Sequence, residues 1–142
     1  MGDVADTDWN DLRTRAFEVM RNAYAPYSGF AVGAAGLMED GRVVVGCNVE
    51  NVSLGLTVCA ENILVGNLFA SGGGRLRAVS CVGPEGAAVM PCGRCRQVLL
   101  EHGGAELAVD AGAGPPVTLG ELLPRAFGPG ESESGAVRRW TR

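Results

Sequence analysis

The sequence predicts a single α/β domain, a three-layer α/β/α sandwich around a mixed sheet of about five strands. Three observations point there: an opening stretch with apolar residues at helical spacing, short small-residue or β-branched runs alternating with two further helical stretches, and Gly- or Pro-marked turns between them. At 142 residues the chain can bury one core without disulfides or a structural metal. The domain is expected to cover residues 1–127, and the Gly/Ser/Glu/Arg-rich stretch 128–142 to form a loose tail.

The elements follow in order. From Trp9, apolar positions recur at Leu12, Ala16, Val19, Met20 and Ala23, a helical period with Thr7 or Asp8 available as N-cap. Pro26 and Gly29 end it, and Phe30 to Met38 reads as a strand rich in small residues. Glu39-Asp40-Gly41 supplies a tight turn, and Val43 to Val45 returns as the second arm of a hairpin. After an irregular stretch from Asn48 to Thr57, Cys59 to about Ala70 reads as a buried helix, stopped by Gly72-Gly73-Gly74. Leu76 to Val82 is a third strand, closed by Gly83-Pro84-Glu85-Gly86. A second buried helix runs from the Pro91-Cys92 turn to Gly103-Gly104, followed by a short strand over Leu107 to Val109. Thr118 is placed to cap a last helical segment from Leu119 to Ala126. The opening hairpin is antiparallel, and the later strands, separated by helices, are expected to pair in parallel.

Charge narrows the function. The net charge is −4, every basic residue is Arg, and no tract of them forms the positive stripe that binding a nucleic-acid polymer requires. A small neutral substrate suits this balance. Residues 1–10 carry three Asp and a Trp where a secretory signal would need a basic start and an apolar run, so a cytoplasmic location is expected. No apolar run reaches the roughly 20 residues of a membrane span, and no membrane partner is expected. Five Cys, an odd number, argue against a disulfide framework and leave metal binding, catalysis or plain burial.

Spacing decides among these. Cys59-Ala60-Glu61 and Pro91-Cys92-Gly93-Arg94-Cys95 each stand where a loop becomes the first turn of a helix. There, unpaired backbone N–H groups and the positive helix end favour thiolates. Cys59, Cys92 and Cys95 are therefore candidate ligands of one Zn²⁺ per subunit, a metal that thiolates suit. Three protein ligands leave a fourth position open, the mark of a catalytic site. Glu61, two residues beyond a ligand, is the candidate general acid/base. The pattern is similar to the signature of zinc-dependent nucleobase deaminases, with Cys in the place of His. Three thiolates on Zn²⁺ carry a local charge of −1, which the two helix N-termini must offset, with Arg94 and Arg96 as nearby cations.

Further motifs extend the pattern: Pro26-Tyr27-Ser28-x-Phe30-x-Val32-Gly33-Ala34-Ala35, Asn48-Val49-Glu50-Asn51, and Arg96-Gln97 directly after the Cys92/Cys95 pair. Over residues 9–127 the chain resembles the small cytidine deaminases, homotetrameric three-Cys zinc enzymes of pyrimidine salvage. The resemblance implies hydrolytic deamination of cytidine and 2′-deoxycytidine to their uridine forms, with release of ammonia. It implies that Asn48 and Glu50 hold the ribose 3′-hydroxyl, that Glu50 also reaches towards the base, and that Phe30 lines the pyrimidine pocket. The backbone N–H of Ala60 would meet the pyrimidine carbonyl, and Phe127 would reach a neighbouring subunit's site, so that sites lie at subunit interfaces of a homotetramer. Two positions depart from the pattern: Leu54 stands where members often have Tyr, and Asn62 where many three-Cys members have Arg.

Without the resemblance, Phe30 and Phe127 read as core residues, Asn48 as a turn residue and Glu50 as a solvated carboxylate. Cys47 and Cys81, in apolar strands, read as small buried hydrophobes, and His102 as a helix-end residue. A deaminase of a nucleoside antibiotic would share the zinc motifs. A non-catalytic, pyrimidine-binding or zinc-stabilised scaffold is the alternative that the Leu54 and Asn62 departures motivate, and a polynucleotide-editing enzyme is the one the acidic charge disfavours.

Overall fold

The computed structural model describes residues 4–128. Helix α1 spans Trp9–Met20. Asp8 caps it, its carboxylate accepting the Asp11 N–H at 3.0 Å, and Leu12, Ala16 and Met20, spaced four apart, form its buried stripe. The helix stops before Ala23 because the chain is captured sideways: Tyr24 N–H donates to Asn48 O and Tyr24 O accepts from Glu50 N–H.

Strands β1 (Gly33–Met38) and β2 (Val43–Cys47) form the expected antiparallel hairpin, with Gly41 at φ 89° in the turn. The strand expected from Phe30 begins only at Gly33. Asn48 occupies the ladder there: its backbone N–H donates to Val32 O at 3.2 Å, its Oδ1 accepts Val32 N–H at 2.8 Å, and its Nδ2 donates to Phe30 O at 2.9 Å.

Helix α2 (Ala60–Ala70), strand β3 (Leu76–Val82), helix α3 (Gly93–Gly103), and strands β4 (Ala108–Val109) and β5 (Val117–Thr118) follow. The sheet runs β2-β1-β3-β4-β5, with β3 and β4 parallel and the other pairs antiparallel. Alternation of side chains along the strands sorts two cores. Ala35, Ala78 and Val82 pack with Leu12 and Ala16 of α1, while Ala34, Val79 and Cys81 pack with Leu64 and Leu68 of α2 and Leu99 of α3. The three-layer sandwich with a mixed five-stranded sheet is thus the observed fold.

β5, only two residues long, was not expected. The last helix, α4, covers Leu119–Leu122 rather than reaching Ala126. Thr118 caps it in a full capping box with Glu121, but Pro124 disfavours helical backbone at Leu123, which sits at φ −138°, ψ 70°. Most of the expected tail, from Pro129 on, lies outside the described residues.

α2 lies against β2 at Gly46, where an added Cβ would collide with Ala60 O and Leu64 N. Gly46→Ala must therefore push back backbone, not a flexible side chain. The substitution is expected to destabilise by about 3 kcal/mol and to lower the thermal midpoint by on the order of 10 °C. A thermal scan matching the wild type would contradict this close approach.

On the opposite face, Arg13 of α1 is clamped to Asp110, which lies just beyond β4 and is 2% exposed. Arg13 Nε and Nη2 each donate at 2.7 Å to its two oxygens, Ser80 Oγ donates at 2.7 Å and Gly112 N–H at 2.9 Å. Burial pushes the Asp110 carboxyl up, but these donors and the Arg13 charge outweigh it and hold the pKa below the ordinary carboxylate value. The folded state therefore binds this proton less readily than the unfolded chain. The stabilisation is complete above the unfolded value of about 3.9 and is lost as pH falls through the lower folded one. Asp110→Asn is expected to cost on the order of 2 kcal/mol at pH 7, a deficit that narrows below about pH 4. Denaturant titrations at both pH values check the sign.

Candidate metal centre and active site

The loop after β2 carries the site's first half. Val49 and Val58 exchange backbone hydrogen bonds, both 2.9 Å, closing residues 50–57 into a loop whose two ends stand side by side. Asn48 and Glu50 are thereby placed at the same base as Cys59. Glu50 is 9% exposed, and its carboxylate accepts Tyr27 N–H at 2.9 Å, Ser28 N–H at 3.1 Å and Ser28 Oγ–H at 2.5 Å. The Ser28 hydroxyl, followed by the Ser28 amide, holds its pKa below the usual range. Asn48 is likewise buried and fixed by the Phe30 and Val32 backbone bonds described above.

The second half hangs from β3. Val82 bridges to Ala88 and Val89 N–H donates to Cys81 O at 2.9 Å, so the 83–90 loop folds back along the strand and delivers Pro91 and Cys92 to the start of α3. Cys59 is the N-cap of α2 and Cys92 the N-cap of α3, so both thiols meet helix starts as anticipated. The Sγ atoms of Cys59, Cys92 and Cys95 all lie within 4.8 Å of one another, with Cys59–Cys92 at 3.9 Å and Cys92–Cys95 at 3.5 Å. Zinc–sulfur bonds of 2.3 Å in a tetrahedron require sulfurs about 3.8 Å apart, so the cradle has the size of a zinc site.

Electrostatics agree with that fit. Burial raises the Cys92 thiol's pKa, but N–H groups of Cys95 and Arg94 at the start of α3, with the neighbouring thiols, bring it below the ordinary value. Burial pushes Cys59 and Cys95 up, and the Glu61 charge adds to the shift at both. Three crowded thiols so placed ionise together only around a cation. Arg94 Nη2 donates to Thr57 O at 2.9 Å, tying the start of α3 to the segment that leads to Cys59. Arg96 binds Pro91 O at 2.8 Å and Leu122 O at 2.9 Å. Both guanidiniums thus brace the ligand loops through backbone carbonyls.

Glu61, in the first turn of α2, is 4% exposed, and its Oε1 accepts from Cys81 Sγ at 3.6 Å. Ala60, fully buried, is the first residue of α2, so its N–H is among those a helix start leaves without an intrahelical acceptor. The Phe30 ring lies over Gly83, where an added Cβ would stand 3.2 Å from its Cζ, and yet it is 49% exposed. Phe127 is 86% exposed, its carbonyl held by Gln97 Nε2 at 2.7 Å. The reading of either aromatic as a core residue is therefore overturned: both residues are exposed. Leu54 is 73% exposed in the Leu54–Leu56 turn, and Asn62 Oδ1 is buried without a hydrogen-bond partner among the described residues. Two contributors escaped the sequence reading: Ser28 as the holder of Glu50 and Cys81 as a neighbour of Glu61. Ser28 lay within a quoted motif, whereas nothing in the strand pattern around Cys81 signals its partner.

Residues 7–110 match the family model for the cytidine and deoxycytidylate deaminase zinc-binding region. A cytidine deaminase of Mycobacterium tuberculosis is 62% identical over 125 residues, 88% of this chain and 93% of that protein. The crystal structure of cytidine deaminase from the same organism superposes with a TM-score of 0.84 at 62% identity, covering 87% of this chain and 99% of that one. The cytidine deaminase structure from Burkholderia pseudomallei follows at TM-score 0.77 and 40% identity, with 85% and 100% covered. With the family model matched over residues 7–110 and a relative 62% identical over 88% of its length, the chain belongs to the cytidine and deoxycytidylate deaminase zinc-binding family.

Proposed function

We propose that this protein catalyses zinc-dependent hydrolytic deamination of cytidine and 2′-deoxycytidine, giving uridine or 2′-deoxyuridine and ammonia. The observation that carries this reading is the three-thiol cradle next to a buried carboxylate, in a chain 62% identical to a cytidine deaminase. Cys59, Cys92 and Cys95 would hold one Zn²⁺, which when bound supplies Lewis-acid activation of water near neutral pH. Glu61 does the proton work: its carboxylate takes one proton from the attacking water and passes it to the ring nitrogen N3, then takes the second from the new C4 hydroxyl and passes it to the amine, which departs as ammonia as the C4 carbonyl forms. Its burial excludes bulk water from that exchange.

Asn48 and Glu50 bind the ribose 3′-hydroxyl, with Glu50 held ionised as an acceptor by Ser28 and Tyr27. Phe30 stacks along the pyrimidine, and the Ala60 N–H donates to its carbonyl oxygen. The domain of residues 1–127 acts as one catalytic unit within a homotetramer, in which Phe127 enters a neighbouring subunit's site. Support for assembly comes from exposed apolar residues: Val52 at 77%, Leu54 at 73% and Leu56 at 66% on one loop, and Phe127 at 86% near the end of the described residues. The described cysteines are all free thiols, as suits work in the reducing cytoplasm. No described helix is long and apolar enough to cross a membrane.

The test is loss of the cytidine absorbance band on incubation with zinc-verified protein, with ammonia measured in parallel. Stoichiometric ammonia and uridine are expected. Nucleoside binding without turnover by fully metallated protein would instead favour a binding scaffold.

A further inference from the structure

Cys81 lies outside every recognised motif of the site, yet it touches both halves. It sits on the central strand β3, opposite Ala34 of β1, and is 1% exposed. Its backbone carbonyl accepts Val89 N–H at 2.9 Å, the bond that folds the 83–90 loop back towards Cys92. Its side chain points into the core shared with α2 and α3, where its Sγ stands 3.6 Å from Glu61 Oε1. That distance is within reach of a sulfur donor. The carboxylate, acceptor-only when ionised, faces a group whose S–H can donate.

We propose that Cys81 is a positioning residue for Glu61: its thiol holds Oε1, leaving the second carboxylate oxygen aimed at the reacting atoms, while its carbonyl keeps the Cys92 loop in register with it. The inference rests on Glu61 being the proton shuttle. A glutamate has three rotatable side-chain bonds, and a single tether on one oxygen removes much of that freedom before substrate arrives. Burial, followed by the Glu61 charge, pushes the Cys81 thiol well above its ordinary pKa, so the donor proton is present across the working pH range. The same burial separates Cys81 from a metal-ligand role. Among the described residues, the three-sulfur cluster comprises Cys59, Cys92 and Cys95 alone.

The test compares zinc-loaded wild type with Cys81→Ser, Cys81→Ala, Cys81→Val and Glu61→Gln, reading kcat and KM for cytidine separately. Serine keeps a donor, alanine removes it and leaves space, and valine removes it while filling the space. Alanine and valine are both expected to lower kcat about tenfold, with KM within twofold and zinc content unchanged, whereas serine restores kcat to within about threefold. A residue that only fills the core would behave otherwise: valine would keep kcat, and alanine would lose thermal stability without losing turnover per folded, zinc-loaded site. Unchanged kcat in Cys81→Val, or a serine variant as slow as valine, overturns the proposal, and this pair decides even if alanine fails to fold. Glu61→Gln separates the two claims. An inactive Gln variant beside fully active Cys81 variants removes only the positioning role, whereas an active Gln variant removes the shuttle on which it rests.

Discussion

Glu61→Gln is expected to abolish measurable deamination while leaving one zinc per chain and near-native stability. Glutamine has the same shape and can keep one hydrogen bond, but its amide neither accepts a proton from water nor returns one to the ring. Positioned acid/base groups contribute about 10²–10⁴-fold, and here one carboxylate serves several transfers in sequence. A fall in kcat at or beyond the top of that range is therefore expected. Single-turnover absorbance traces on protein of verified metal content read it, and a residual rate within tenfold of wild type would move the shuttle to another group. Because Glu61 is 4% exposed, buffer bases are not expected to substitute for it.

Cys95→Ala is expected to be as damaging by a different route. Cys95 is the fully buried member of the cradle, 3.5 Å from Cys92 Sγ, and its removal leaves two thiols where three meet. Affinity for zinc should fall by more than the roughly 10–100-fold typical of losing a residue that only supports a ligand. Dialysis against a chelator followed by elemental analysis should find the variant stripped and the wild type loaded. Cys47→Ala, on β2 and outside the cluster, serves as the control and should retain its metal. The stripped variant should keep its far-ultraviolet spectrum, since the α1 core does not include the cradle and the larger core is mostly aliphatic. Its thermal midpoint should be lower, because ligand-linked stabilisation has gone. Retention of stoichiometric zinc by Cys95→Ala would place the metal elsewhere.

What could be read from the chain in advance follows from how local each signal is. β3 was delimited at both ends because an apolar run stands between Gly72-Gly73-Gly74 and Gly83-Pro84, and chain punctuation of that kind acts without help from the rest of the fold. The clustering of Cys59, Cys92 and Cys95 was legible because each was expected at a helix start, with a spacing of three residues within the second motif. β5 was not, since two residues carry no periodicity and pair only because β4 is already there. The exposed Phe30 and Phe127 defied the general preference of aromatics for burial, and only family likeness suggested why. The contacts Cys81–Glu61 and Gly46–α2 join residues far apart in the chain, and no spacing rule connects them.

The paired Val49 and Val58 bonds divide labour along the chain. Asn48 and Cys59 lie just outside that clasp and Glu50 just inside it, whereas residues 51–56 form an exposed rim between its ends. Changes of length or polarity in the rim can alter what the protein packs against, or which sugar edge it tolerates, without disturbing the ligand geometry beneath. Leu54 illustrates the point: 73% exposed on that rim, it can change what the surface presents to a neighbour while the backbone bonds that hold Asn48 and Glu50 of its own chain stay in place. For protein engineering, that rim is the place to graft new contacts first.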